Sequence, residues 1–159
     1  MPNPTFVPNP EDVKMGAAIV VYDSAQLGYT LGASVAMGLT MTTTPVKPDQ
    51  SAAPITEKVT GFEAYVNCTF AAVKPEVFAK LPGGDATGIK DPAGIDLRAF
   101  GKELVVYPLD SADTRVFRFP KATPILNGDI TWDPENPQGM PLQFKVYLES
   151  AGGYIMKFA

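Results

Sequence analysis

The chain has 159 residues, of which 45% are hydrophobic, and its 13 basic and 17 acidic side chains give a net charge of −4. A chain of this length folds as one domain, here residues 1–159, that buries about 70% of its unfolded surface. Because Lys and Arg never stand next to one another, no basic patch for gripping nucleic-acid phosphates is expected.

Proline and glycine are spread along the whole length, which favours many short strands over long helices. Residues 1–15 contain four prolines and are predicted to form an extended N-terminal arm, because proline biases its predecessor to extended backbone. The arm carries no leader-like or membrane-spanning apolar stretch, so we expect a soluble protein made in a cytoplasm. Residues 16–22 are apolar at successive positions and predict a first strand.

Two longer stretches, residues 34–43 and 57–71, alternate apolar and polar side chains with the period of a half-buried strand. Each is expected to pack its apolar side into the domain. Residues 44–56 between them are too long for a tight turn and predict a projecting loop. The apolar positions are Val35, Met37, Leu39 and Met41 in the first strand, and Phe62, Ala64, Val66, Cys68 and Phe70 in the second.

The second half of the chain predicts one short helix beginning at Pro75, followed by a loop over residues 83–99 and a strand over 102–107. Prolines 120 and 124 are expected to separate two short strands, residues 115–119 and 125–132. Residues 142–149 alternate clearly, and Gly152 and Gly153 permit a hairpin into a last strand, residues 154–158. The predicted fold is therefore all-β with one short helix, as a β-sandwich or strongly curved barrel.

The chain contains no histidine, which removes the commonest general base and the commonest metal ligand. Thr30 lies in a GYTLG stretch that superficially matches a nucleophile elbow, but no histidine could activate it. Residues 83–90, GGDATGIK, come close to a phosphate loop, yet Lys90 is one position late and a helix precedes the stretch. Both are interpreted as turns.

The remaining candidates are acidic clusters and two single residues. The acidic turns could bind calcium weakly, but they lack the alternation of a dedicated loop and are interpreted as solvated. Cys68 is expected to be buried as a small hydrophobe. Trp132 could anchor a partner or pack in the core. The acidic residues are Asp110 and Asp113 in one cluster and Asp129, Asp133 and Glu135 in the other.

The order of these elements resembles the tail tube proteins of bacteriophages. The resemblance rests on the extended arm, the GYTLG turn, a Thr-rich strand, the loop containing DQSAAPI, the long alternating strand, the short helix, and the closing FRFPKATPILNGDITW and PLQFKVYLES stretches. It covers the chain from about Gly16 to Phe158. These are similarities of pattern, and they carry no catalytic residue.

The resemblance implies a non-enzymatic subunit of a virion tail, without cofactor or metal, that forms hexameric rings stacking into a hollow tube. Other tail proteins would be its partners: a tape measure, a terminator, a baseplate or tip, and a sheath where the tail has one. Six copies with four strands each, at a spacing of about 4.8 Å and a tilt of about 40°, would enclose a lumen of about 38 Å. DNA would pass through it without specific binding, and a weakly acidic wall would keep it from sticking.

Under this interpretation residues 34–43 and 57–71 form the inner sheet, and the projecting loop, the N-terminal arm and residues 83–99 make contacts between rings. The candidates for the channel wall are Thr40, Thr42, Glu57, Glu63, Asn67 and Thr69. The candidates for loop contacts between rings are Pro45, Lys47, Asp49, Gln50 and Ile55.

Two other functions fit the same strand pattern. A virion decoration or adhesion module would share the β-sandwich and the lack of catalytic groups, but would stay monomeric or form a small closed oligomer. A carbohydrate-active enzyme could use a carboxylate pair such as Asp129 and Glu135, which needs no histidine.

Overall fold

A computed structural model of the chain describes residues 18–31, 34–50, 52–109, 114–136 and 138–158. The predicted arm, residues 1–15, lies outside these ranges. Within them the chain forms an antiparallel sheet with two single-turn helices, which confirms the all-β prediction; the helix over residues 97–100 was not predicted. The elements are β1 (Ala18–Tyr22), β2 (Ala25–Gln26), β3 (Ala36–Val46), β4 (Thr56–Phe70), α1 (Pro75–Phe78), α2 (Leu97–Phe100), β5 (Lys102–Pro108), β6 (Phe117–Leu126), β7 (Met140–Val146) and β8 (Lys157–Phe158).

The strands lie in the order β2-β1-β5-β6-β7-β4-β3, with β8 beside β6. The sheet curves strongly, because the rings of Tyr22 on β1 and Phe144 on β7 are 5.4 Å apart although β5 and β6 lie between their strands. The segment after β2 also bonds to the end of β4, since Ala71 donates its N–H to the Tyr29 carbonyl at 2.7 Å. The two ends of the sheet are thereby brought together around one core.

The concave side of the sheet holds the core. Its side chains come from alternate positions of five strands, as the pleat requires, and α1 with the turn after it closes one end. Each fully buried aliphatic or aromatic side chain stabilises the fold by about 1.5–3 kcal/mol. The buried residues include Val20, Tyr22, Val66, Cys68, Phe70, Val77, Leu81, Leu104, Phe119, Leu142 and Phe144.

Helix α2 packs on the opposite side of the sheet. The carboxylate of Asp96 caps it by accepting the N–H groups of Arg98 and Ala99. The hydroxyl of Thr123, a fully buried residue on β6, donates to the Leu97 carbonyl. This bond satisfies a polar group that burial would otherwise penalise, and it fixes α2 to the sheet.

The prediction of two strands separated by Pro120 and Pro124 is wrong, because β6 runs through both prolines. Pro120 lies in a bulge: Leu104 pairs with Phe119 and Lys102 with Ala122, so two residues of β6 oppose one of β5. A bulge is one of the few places where a sheet tolerates a residue without an N–H.

Pro124 is accommodated differently. Near Pro124, the residues of β6 that form backbone hydrogen bonds with β7 have odd numbers. The Tyr147 N–H donates to the Lys121 carbonyl at 2.8 Å, and the Asn127 N–H donates to the Pro141 carbonyl at 3.2 Å. Pro124 opposes Phe144 at a position between those pairs. The ladder with β7 therefore needs no N–H from Pro124.

The predicted C-terminal hairpin is also wrong. β8 pairs with β6 through Phe117↔Phe158 and Arg118↔Lys157, and it does not pair with β7. Both β7 and β8 run antiparallel to β6. They pair with successive parts of β6, and the chain leaves the sheet between them over residues 148–156. The Arg98 guanidinium holds that segment by donating to the carbonyls of Leu148 and Glu149 at 3.0 and 3.2 Å.

The turn after α1 provides a test of backbone packing. A Cβ at Gly84 would lie 1.9 Å from the carbonyl oxygen of Phe78, whereas one at Gly88 in the same loop would meet nothing within 4 Å. We expect Gly84→Ala to lower the free energy of unfolding by about 1–3 kcal/mol, because backbone must move. Gly88→Ala should change it by less than about 0.5 kcal/mol. Urea denaturation measures both, and equal midpoints would contradict the described packing.

Candidate functional site

The β3–β4 hairpin is longer than the strand beside it. β3 and β4 pair from Ala36↔Asn67 to Val46↔Thr56, but β7 pairs with β4 only over residues 65–70. Within the described part of the chain, residues 56–64 of β4 thus have a strand neighbour on one side only, and β3 is the last strand of the sheet. The distal half of the hairpin stands clear of its own domain with two unpaired edges.

A bulge in β4 decides which side chains share a face of the hairpin. Thr42 pairs with Gly61 and Thr43 with Val59, so Thr60 is the extra residue. The Thr60 hydroxyl lies 3.2 Å from that of Thr44 and 3.3 Å from the Thr42 carbonyl, which fixes the bulge. Simple alternation along β4 therefore fails at this point, and the faces must be assigned through the partners on β3.

One face, which we name the core face, continues the buried side of β4. Most of its residues are apolar, and they become more exposed towards the end of the hairpin. Val66 and Ala64 are buried, but Leu39, Met41 and Val59 are 46%, 66% and 62% exposed. Of the apolar side predicted for residues 34–43, Val35 packs against the core, but the expectation is wrong for Leu39 and Met41, because β3 extends past the part of the sheet that curves over the core. The residues of the core face are Met37, Leu39, Met41, Thr43 and Pro45 on β3, and Glu57, Val59, Phe62, Ala64 and Val66 on β4.

The opposite face, which we name the polar face, gathers five of the six residues predicted to line a channel. Register places Thr40 opposite Glu63, and Asn67 opposite both Ala36 and Gln143 of β7. The sixth candidate, Glu57, opposes Pro45 and lies on the core face, which corrects the grouping predicted from alternation. The five candidates on the polar face are Thr40, Thr42, Glu63, Asn67 and Thr69.

Tyr65 stiffens the polar face. Its ring lies over Gly38 on the neighbouring strand, where an added Cβ would be 2.1 Å from the ring. An aromatic ring covering a cross-strand glycine shields the backbone that the missing side chain would leave exposed. The polar face therefore forms a continuous surface over β3, β4 and β7, ending at Lys145 opposite Tyr65.

The loop at the end of the hairpin is shorter than predicted. Thr44, Pro45 and Val46 belong to β3, and the ladder continues one bond further, from the Ile55 N–H to the Val46 carbonyl at 3.1 Å. The connection thus occupies residues 47–55. Of the predicted contact residues, Pro45 lies in the strand, and Lys47, Asp49, Gln50 and Ile55 lie in the connection.

The motifs considered for catalysis have structural partners. The Thr30 hydroxyl donates to the Ala18 carbonyl at 3.3 Å, and Thr30 bridges to the end of β4. In the loop over residues 83–90, Asp85 accepts the N–H groups of Thr87 and Gly88 and forms an ion pair with Lys90 at 3.2 Å. Lys90 therefore closes its own loop.

The acidic turns are likewise organised internally where they are described. The carboxylate of Asp133 accepts the Asn136 side-chain amide at 2.6 Å and the Glu135 N–H at 2.9 Å, and these bonds hold its pKa below the usual range. Asp110 and Asp113 lie outside the described residues. The described ranges bring together no group of three His, Cys, Asp or Glu residues that could hold a metal ion, and none of their helices is long and apolar enough to span a membrane. Trp132 is exposed in the connection between β6 and β7.

Cys68 is buried, as predicted, and desolvation raises the pKa of its thiol from 9.0 to about 12. We expect the folded chain to react with a thiol reagent such as dithiobis(nitrobenzoate) only as fast as it opens, and the denatured chain to react at once. Because the unfolded thiol ionises first, the stabilisation by the neutral buried thiol is complete below pH 9 and declines as the pH rises towards 12. Rapid full labelling of the folded chain would contradict the burial, and an Ile55→Cys variant supplies the exposed thiol as control.

Comparison with protein-family models gave no match, and comparison with curated proteins found no similar sequence.

Proposed function

We propose that this chain is the structural subunit of a phage-type tail tube, which closes into hexameric rings that stack into a hollow conduit for DNA. The observation that carries the proposal is the β3–β4 hairpin, with its uncovered core face and its polar face on opposite sides of the same two strands. A strand pair that separates a protein layer from a water-filled channel needs one apolar face and one polar face.

A second copy of the chain is the natural cover for the core face. Long strands with unpaired edges and exposed apolar side chains lead to uncontrolled association unless a specific partner takes the edge. A cyclic arrangement in which each hairpin joins the sheet of the next subunit pairs every edge and leaves none free. The exposed Leu39 and Met41 would then be buried between neighbours.

The place where β7 leaves β4 offers room for a strand of the neighbour. There the free edge of β4 borders an open groove of about 480 Å³ that both faces of the hairpin help to line. The lining residues are Phe62, Glu63, Ala64, Tyr65, Gln143, Lys145, Val146 and Tyr147. A strand added at such an edge gains backbone hydrogen bonds along its length and specificity from the side chains of the groove. We assign this groove to the lateral contact within the ring.

The polar face would then line the lumen. Its hydroxyl and amide groups hydrate well, and its charged side chains are of mixed sign, Glu63 with Lys58 and Lys145, in a chain whose net charge is −4. A hydrated wall without a basic patch gives a polyanion no strong binding site during passage. The role requires no catalytic group or cofactor, and it places the protein in a virion tail, after synthesis in the cytoplasm of a bacterial host, with other tail proteins at its ends.

Electron microscopy of the concentrated protein tests the proposal. We expect annular particles with a central hole, and at higher concentration stacks of them, because the hairpin edges pair only between copies. Negative-stain images and sedimentation velocity provide the readout. A protein that stays monomeric, or forms a small closed oligomer without a hole, would refute the tube and favour a decoration or adhesion module.

Neighbouring residues on opposite faces of β3 offer a matched test of the hairpin. Met41→Asp places a charge on the core face, and we expect it to raise the concentration needed for ring formation more than about tenfold, since a charge buried without a partner is costly. Thr42→Asp places the same charge on the polar face and should leave assembly intact. Both positions are exposed in the isolated chain, so unfolding free energies should stay within about 0.5 kcal/mol of the parent. Equal assembly of the two variants would count against the assignment of the faces.

A further inference from the structure

The connection that leaves β6 begins with an Asn-Gly step. β6 ends at Leu126, and the Asn127 N–H donates to the Pro141 carbonyl at 3.2 Å, which continues the ladder with β7 by one bond. Gly128 follows with a φ of +138°, a backbone conformation that a residue with a Cβ rarely adopts. These two residues therefore form the turn by which the chain leaves the sheet.

The groups through which the two residues could react with each other are accessible and unpaired. Asn127 and Gly128 are both exposed. Within the described part of the chain, neither the side-chain amide of Asn127 nor the N–H of Gly128 forms a hydrogen bond. A backbone N–H that is bonded in a helix or sheet reacts only after local unfolding has released it. The Gly128 N–H needs no such release, and glycine has no side chain to hinder approach to its nitrogen.

Asparagine is a thermolabile residue, and the reaction that destroys it is intramolecular. The nitrogen of Gly128 loses its proton and forms a bond with Cγ of Asn127, while the bond from Cγ to Nδ2 breaks. Ammonia leaves, and a five-membered succinimide remains. One water molecule from the solvent then opens the ring. Opening at Cγ gives an aspartate, whereas opening at the backbone carbonyl carbon gives an isoaspartate, in which the main chain runs through the former side chain.

The other asparagines of the sequence lack one of these conditions. Asn3, Asn9 and Asn136 each precede a proline, whose nitrogen carries no proton to lose. Asn67 precedes Cys68, and both residues lie inside β4 where it pairs with β7. The reaction is therefore directed to one position.

We propose that Asn127 and Gly128 form a self-modifying site, at which the folded chain slowly releases ammonia and gains an isoaspartate or an aspartate. The conversion needs no enzyme and no reagent other than water. It adds a negative charge next to Asp129, in a connection that also carries Asp133 and Glu135. Because the Asn127 N–H precedes the altered bond, the ladder between β6 and β7 is kept. The site does not depend on the tube function, since both reacting groups belong to one chain.

Incubation of the folded chain at physiological temperature and mildly alkaline pH tests the site. The samples are digested at mildly acidic pH, and liquid chromatography with mass spectrometry separates the peptide with asparagine at position 127 from its two acidic products. We expect at least about tenfold more conversion at position 127 than at Asn67, because the amide beside Asn67 is freed only when β4 opens. A protein-isoaspartate methyltransferase with labelled S-adenosylmethionine provides a second readout, since it methylates the isoaspartate product.

A variant and a free peptide provide the controls. Asn127→Gln keeps an exposed amide but would have to form a larger ring, so this variant should accept no methyl groups above background. A synthetic peptide of residues 124–131 sets the time scale of the reaction without the fold. An unconverted folded chain at the time when the peptide has reacted fully would overturn the proposal. Equal conversion at Asn67, or equal methylation of the Asn127→Gln variant, would overturn it as well.

Discussion

The organising constraint in this molecule is a mismatch of strand lengths. β3 and β4 continue as a two-stranded ribbon after β7 has left β4, so within the described ranges no further layer covers the apolar side of the ribbon. An isolated two-stranded ribbon is marginally stable in water, and here it carries Leu39, Met41 and Val59 partly in solvent. Covering each of them would contribute about 1–2 kcal/mol, since about half of each side chain remains to be buried. A layer that covered these side chains would therefore stabilise the ribbon.

The bulge at Thr60 restricts which other strands can pair with that ribbon. By shifting register it turns Glu57 onto the core face, at the end of a strip that is apolar apart from Thr43. A charge on the apolar side of an edge ribbon discourages indiscriminate pairing with other sheets, while a partner that provides for the carboxylate is still accepted. The bulge also increases the local twist, which helps a sheet to close into a barrel. One inserted residue thus both places a charge on the apolar side of the ribbon and increases its twist.

Much of the fold could be predicted from the sequence, because alternation reports burial directly where one side of a strand faces the core. The alternation over residues 64–70 of β4, which pack on the core, was recognised for this reason. Prediction failed where backbone pairing, and not side-chain patterning, decides the structure. Pro120 lies in a bulge and Pro124 between bonded pairs, so neither interrupts β6, and β8 pairs with β6 although a turn precedes it. In the candidate site, five of the six residues predicted to line a channel do share one face of the hairpin, whereas Glu57 lies on the other face because a bulge leaves no signature in hydrophobic periodicity.

The two ends of the molecule differ, and that difference determines what kind of assembly is possible. The hairpin connection and the start of β6 lie at one end, and α1 and the end of β6 lie at the other. A contact between unlike surfaces propagates indefinitely unless a rotation closes it. Under the proposed function, lateral pairing of hairpins would supply that rotation around the ring, while the unlike ends of the subunit would meet along the axis. Closure in one direction and continuation in the other is the geometry of a tube, and the unpaired hairpin is the part of this chain that such an assembly would use first.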